Sequence, residues 1–219
     1  KRPIQVRAPY GSLLNPRRPA PVRARMLSAY RAYNAVMKAL APSAPDKVIA
    51  AGFDSTEIIV LSQLTQDGYK IYLEILGGGY GASTHSDGCD AVDSPLSNCS
   101  NVPIEAMDME YDYFRVEDYS LVADSGGAGR YRGGLGFQRR YHILADNVTF
   151  ATYSDRFRLA PEGLFGGADG VCASTQVLRG DQVINLPSKV SFPLEKGDIL
   201  VARTGGGAGY GEPGQRAEA

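Results

Sequence analysis

Several kinds of residue and pattern are scarce in this 219-residue chain, and each absence excludes something. There is no excess of either charge: 23 Lys and Arg stand against 24 Asp and Glu, a formal net charge of −1. No global field therefore draws the chain to nucleic acid or to an anionic membrane surface. No apolar run reaches the eighteen or so residues that a spanning helix needs, and no apolar segment follows Lys1-Arg2-Pro3 as in a secretory leader. Cysteine is sparse, with Cys89, Cys99 and Cys172 making an odd set and no CxxC pair. That argues against a disulfide framework and for a cytoplasmic location. Only two histidines are available, His85 and His142, and no GxxxxGK[ST] occurs, so a P-loop is absent.

Glycine, by contrast, is abundant: 26 residues of 219, above the usual share of about 7%. The glycines lie in discrete clusters between strand-like runs. Prolines at 3, 9, 16, 19 and 21 keep the first twenty residues extended. Helical spacing of Val22, Met26, Ala29, Tyr33, Val36, Met37 and Leu40 predicts one helix over Pro21–Leu40, its stripe facing the core, with Pro42 ending it. Nine strand-like runs follow, at 57–64, 69–76, 114–122, 137–144, 148–153, 174–178, 182–184, 190–192 and 199–202. The turns Gln66-Asp67-Gly68 and Asp146-Asn147 predict hairpins between their flanking runs. The fold class expected is α+β: predominantly antiparallel β, one N-terminal helix and long Gly-rich loops. Residues 1–50 form the extended segment and helix, 51–214 the β-rich part, and 215–219 a frayed tail.

The loop within Leu121–Gly136 holds six glycines. Each costs about 0.5–1 kcal/mol of chain entropy relative to alanine, so its backbone path must be one that side chains would obstruct. Two needs fit: close approach of another surface, or N–H groups aimed at an anion. Ser125, Gly126, Gly127, Gly129, Arg130 and Arg132 are the candidate substrate or intermediate contacts, with Arg139 and Arg140 just beyond. The competing reading is a packing or subunit-contact loop whose arginines pair with acids such as Asp124 or Asp155. His85, Asp87 and Asp90 form the densest set of metal-ligand types, although their spacing fixes no geometry.

Three other patterns carry less. Gly209 to Gly214 spells GxGxxG with no helix after it to hold a pyrophosphate. Asp124-Ser125-Gly126-Gly127 imitates the surroundings of a serine-protease nucleophile, but neither histidine has the context of its base. Asn98–Ser100 and Asn147–Thr149 match the glycosylation pattern and would stay bare in the cytoplasm.

Taken together, the clusters resemble one family. Gly77-Gly-Gly-Tyr-Gly-Ala82, Ser97-Asn-Cys-Ser-Asn-Val-Pro-Ile-Glu105, Asp124-Ser-Gly-Gly-Ala-Gly-Arg-Tyr-Arg-Gly-Gly-Leu-Gly136, Pro161-Glu-Gly-Leu-Phe-Gly-Gly167 and Gly205-Gly-Gly-Ala-Gly-Tyr-Gly-Glu-Pro213 are similar to the hydantoinase B/oxoprolinase family. The resemblance implies the C-terminal portion of a longer B-type subunit. Family enzymes such as N-methylhydantoinase and 5-oxoprolinase use ATP to open a cyclic amide, whereas acetone and acetophenone carboxylases activate a ketone and bicarbonate. It also implies partners: an N-terminal B-type portion holding a divalent transition metal, an A-type subunit binding ATP with Mg, and a small-molecule substrate. No nucleic acid or membrane partner is expected, and the chain alone is expected to be inactive.

Overall fold

The computed structural model describes residues 5–22, 25–93, 95–97, 100 and 102–216. The Asn98–Ser100 pattern, Cys99 and the last three residues of the expected tail lie outside the described residues or depend on ones that do. Helix α1 (Met26–Leu40) is followed by the hairpin β1 (Glu57–Thr65) and β2 (Gly68–Leu76). Then come α2 (Ile104–Glu110), β3 (Phe114–Leu121), β4 (Phe137–Ile143) and β5 (Val148–Tyr153). The last strands are β6 (Ser174–Arg179), β7 (Gln182–Leu186), β8 (Lys189–Leu194) and β9 (Ile199–Arg203).

Two antiparallel sheets result, ordered β2-β1-β5-β8 and β3-β4-β9-β6-β7. Their strands alternate in burial because side chains two apart share a face. One apolar cluster joins the inner faces: Ile59, Leu61, Tyr72 and Phe150 come from the smaller sheet, Phe114, Tyr141, Val177 and Leu200 from the larger. Full burial of each such side chain stabilises the fold by about 1.5–3 kcal/mol. The mostly antiparallel α+β architecture expected from the sequence is what forms.

Three local expectations need correction. A second helix, α2, occupies part of what reads as loop; Met107 is its one buried residue, so it carries no apolar stripe. Strands β4 and β5 do not pair with each other: β4 lies between β3 and β9, and β5 between β1 and β8. The Asp146-Asn147 turn therefore passes the chain from one sheet to the other, with Asn147 in the left-handed region at φ 59°. Finally, α1 begins at Met26 and buries Tyr30 completely, leaving Val22, Val36 and Leu40 exposed. The apolar stripe misplaces the inward face because that face also carries Arg31 and Asn34, which bond to Asp54.

Candidate functional site

The glycine clusters meet at one end of the sandwich and pack on one another. Segment 205–210 runs through their middle. Gly79 N–H donates to Gly205 O at 3.0 Å, Gly127 N–H to Gly207 O at 2.8 Å, and Gly207 N–H to Gly134 O at 2.8 Å. Ala82 N–H donates to Ala208 O, Gly209 N–H to Ala168 O, and Leu164 N–H to Gly209 O, at 2.9–3.1 Å. The stack is so close that a Cβ on Gly79, Gly133, Gly134 or Gly207 would come within 3.0 Å of a neighbouring segment's backbone. At these positions the reason for glycine is proximity, since none of the four has a left-handed φ. The surface that presses on these bare peptide groups is the chain itself.

The individual candidates have the following partners. Ser125 Oγ donates to Val122 O at 2.7 Å and accepts from Gly136 N–H at 2.9 Å, which fixes it as a turn pin. Gly126 packs on the Gly133 carbonyl, Gly127 on Ala168 and Gly129 on Tyr131. The Arg132 side chain grips Asp90 through two bonds, at 2.7 and 3.1 Å. Asp90 also accepts from Leu135 N–H, and Asp87 accepts from Arg132 N–H and twice from Arg216. The acids that Arg132 meets are thus Asp87 and Asp90. Hydrogen bonds from Arg216 and from Arg132 hold the Asp87 and Asp90 carboxyls, respectively, below the usual carboxylate range.

Arg130 differs from its neighbour. It is exposed, its guanidinium lies 5.5 Å from the Tyr131 ring centroid, and among the described residues it makes no ion pair. Arg139 departs from expectation altogether, since it points into the core and pairs with Glu74. Tyr72 OH at 2.5 Å and Tyr141 OH at 3.1 Å also donate to that Glu74 oxygen. The signal was present in strand parity: Phe137, Arg139, Tyr141 and Ile143 are alternate residues on the buried face of β4. Tyr72, Glu74 and Leu76 are their counterparts on β2.

Sequence reasoning also passed over a polar cluster between α1, residues 52–54 and residue 156. Arg31 and Asn34, one turn apart, share a helix face. Asn34 Nδ2 donates to Asp54 Oδ2 at 2.6 Å, as does Gly52 N–H at 2.7 Å, while Arg31 Nη2 donates to Asp54 O. Arg156 Nη2 donates to Asn34 Oδ1 at 2.9 Å, and its other nitrogens reach Phe53 O, Leu159 O and Ala160 O. Asp54 and Arg156 both adopt left-handed backbone, at φ 39° and 62°, which is uncommon outside glycine. Burial pushes the Asp54 carboxyl up and both guanidiniums down, Arg156 to about 10 with the Arg31 charge adding to the effect. No sequence spacing announced this cluster, because its members are distant along the chain.

A metal ion does not fit the candidate ligands His85, Asp87 and Asp90. Asp87 and Asp90 already serve guanidinium and amide donors, and His85 is exposed, only its backbone N–H being bonded, to Ser83 Oγ. Among the described residues no three His, Cys, Asp or Glu side chains are grouped to hold an ion. Nor is any helix of the described residues long and apolar enough to cross a membrane.

A protein of Pseudomonas sp. (strain NS671) named as the B-type subunit of a D-/L-hydantoinase is 35% identical over 218 residues, covering 98% of this chain and 36% of that protein. The 5-oxoprolinase of Dictyostelium discoideum is 34% identical over 142 residues, or 64% of this chain and 11% of its own length. The chain thus spans little more than a third of the first relative and far less of the second. An ATP-dependent caprolactamase from Pseudomonas jessenii has a similar fold, with a TM-score of 0.78 at 22% identity over 97% of this chain and 38% of that one. The Hydantoinase B/oxoprolinase family model matches residues 1–213, and the chain belongs to that family.

Proposed function

We propose that this chain is the C-terminal part of the B-type subunit of an ATP-dependent cyclic-amide hydrolase, serving as scaffold and partial wall of a site shared with other polypeptides. The observation that carries the reading is the interlocked glycine block. A stack of backbone held by its own hydrogen bonds is stiff, and stiffness is what a shared site asks of its wall. The names of the relatives supply the chemistry, a hydantoinase B-type polypeptide and a 5-oxoprolinase.

A cyclic amide resists water at neutral pH because its nitrogen is a poor leaving group and its carbonyl is stabilised by resonance. ATP, when bound, supplies the means of turning the carbonyl oxygen into a leaving group. The contribution of this chain is positional. Ser125, Gly126, Gly127 and Gly129 set the path of the loop, Arg132 clamps it to Asp87 and Asp90, and Arg130 presents an unpaired cation to an anionic intermediate. In this reading ATP with magnesium is held by an A-type partner and the transition metal by the remainder of the B-type subunit. The complex works in the cytoplasm, and the chain by itself does not turn over substrate.

The test is turnover of the assembled complex with ATP, scored by ADP release and ring opening of 5-oxoproline or a hydantoin. Arg130→Ala should lower kcat at least tenfold while the subunits still co-purify. Unchanged turnover returns the loop to packing alone. Activity only with a ketone and bicarbonate makes the complex a carboxylase, and loss of co-purification makes the loop an assembly contact.

A further inference from the structure

The two sheets have different outer faces. On the larger one, Gln138, Arg140 and His142 alternate with the buried residues of β4. There His142 meets Glu117 at 3.0 Å, Asp118 accepts from Gln138 at 2.6 Å, and Arg203 donates to Gln138 at 2.7 Å. That is the ordinary pattern of an antiparallel sheet with one face in water. The smaller sheet breaks it. Leu64 stands opposite Tyr69, Ser62 opposite Ile71 and Val60 opposite Leu73, all on the side away from the core. Leu64, Tyr69, Ile71 and Leu73 are 49–69% exposed.

The face continues without charge onto the next strands. Thr149 and Ala151 of β5 sit beside Ser62 and Val60, and Pro193 and Ser191 of β8 come next. Lys189, opposite Tyr153 at one corner, is the one charge among these outward residues, and its Nζ is taken by Ser154 O and Asp155. At the other end Asp146 and Glu195 help to line a depression of ≈490 Å³ beside Leu64, Tyr69, Thr149 and Pro193. An apolar centre with charge confined to the margin is the anatomy of an interface. Whatever covers it must be apolar too, since a charge brought against it would be buried unpaired.

The size of the face and the length of the relatives select the occupant. A stable interface between separate chains takes roughly 20–30 residues a side, and the outward positions here number about half of that. Contacts between parts of one polypeptide hold with less, because the linkage keeps the effective concentration high. The chain covers 36% of the hydantoinase relative and 38% of the caprolactamase chain, so most of each lies outside the matched part. We propose that the outer face of the smaller sheet, from Tyr69 and Ile71 on β2 across to Pro193 on β8, docks the remainder of the B-type polypeptide through an uncharged, apolar surface. This rests on the reading of the chain as part of a B-type subunit. It is independent of the cyclic-amide chemistry, which the turnover assay tests separately.

Hydroxyl-radical footprinting tests it, comparing the 219-residue chain alone with the same residues inside the complete B-type polypeptide, joined or in two pieces. Tyr69 and Leu73 should be oxidised at least fivefold less in the complete polypeptide. Val183, exposed on β7 of the larger sheet, should be oxidised equally in both. Ile71→Lys should leave the melting temperature of the isolated chain within a few degrees and restore oxidation of Tyr69 in the complete polypeptide. Equal oxidation of Tyr69 and Leu73 in the two unsubstituted samples, or protection no greater than that of Val183, would overturn the proposal. Protection already present in the isolated chain and rising with its concentration would assign the face to a second copy, and would overturn it as well.

Discussion

At the scale of single residues, two buried carboxyls have opposite consequences. Glu74 is paired: Arg139, Tyr72 and Tyr141 all donate to one of its oxygens inside the sandwich. Removing one partner of a buried ion pair leaves the other uncompensated, at a cost of about 3–5 kcal/mol. Glu74→Ala should therefore lower the urea midpoint by that equivalent, while Leu64→Ala, at an exposed position of β1, should barely move it. Similar midpoints for the two variants would contradict the placement of Arg139. Glu57 has no cation among the described residues. Burial pushes its carboxyl up to about 8, partly offset by a 2.7 Å bond from Thr175. In the unfolded chain a glutamate titrates near 4.3. Between those values the folded state holds a proton that the unfolded state releases, so this contribution is complete below about pH 4 and is lost as pH climbs through 8. The slope is about 1.4 kcal/mol per pH unit. Glu57→Gln should gain stability relative to the parent as pH rises from 5 to 9, and parallel denaturation profiles across that range would refute the shift. Neither role was read from the sequence, although parity along two strands held the signal for Glu74 and Arg139. Charge next to an arginine-rich loop suggested anion binding, and burial on the inner face of β4 decided otherwise.

At the scale of elements, the strands were legible because each runs β-branched and aromatic between turn residues. Which strands pair was not, because β4 and β5 take their partners from distant segments and carry no local mark of it. Helix α2 was hidden for a related reason: seven residues with one buried side chain leave no period to detect. The glycine loops were visible as loops, but their partners were not. Gly134 makes the point testable. A methyl group there would collide with the Cys89 carbonyl and the Tyr80 amide, both main-chain atoms without a rotamer to yield. Overpacking a core costs about 1–3 kcal/mol even where side chains can adjust, so Gly134→Ala should lose at least that much in denaturant melts. Gly214 meets nothing within 4 Å and has no left-handed φ. Gly214→Ala should stay within about 0.5 kcal/mol of the parent. Equal tolerance at both positions would mean that the loops do not pack as described.

At the scale of the whole molecule, the sandwich and the glycine block are one cooperative object, because a single strand leads into both. β9 is the middle strand of the larger sheet, flanked by β4 and β6, and the chain continues from it through Thr204 into segment 205–210. Thr204 N–H is held by Phe137 O, Gly206 N–H by Val171 O, Ala208 N–H by Ala51 O, and Tyr210 exchanges backbone bonds with Tyr131. Deleting residues 205–219 would strip acceptors or donors from segments at 51, 79–82, 127–134 and 164–171 together. Buried peptide groups left without partners each cost about 1–3 kcal/mol, and several at once exceed the 5–15 kcal/mol by which a domain is stable. The truncated chain should show no cooperative thermal transition and a collapsed near-ultraviolet dichroism signal, despite keeping β1 to β9. Deleting only 214–219, beyond the block, should leave the transition within a few degrees of the parent, less whatever Arg216 contributes through Asp87. A sandwich that melted normally without segment 205–210 would separate the two regions, and the stiffness on which a shared active-site wall depends would have to come from another polypeptide.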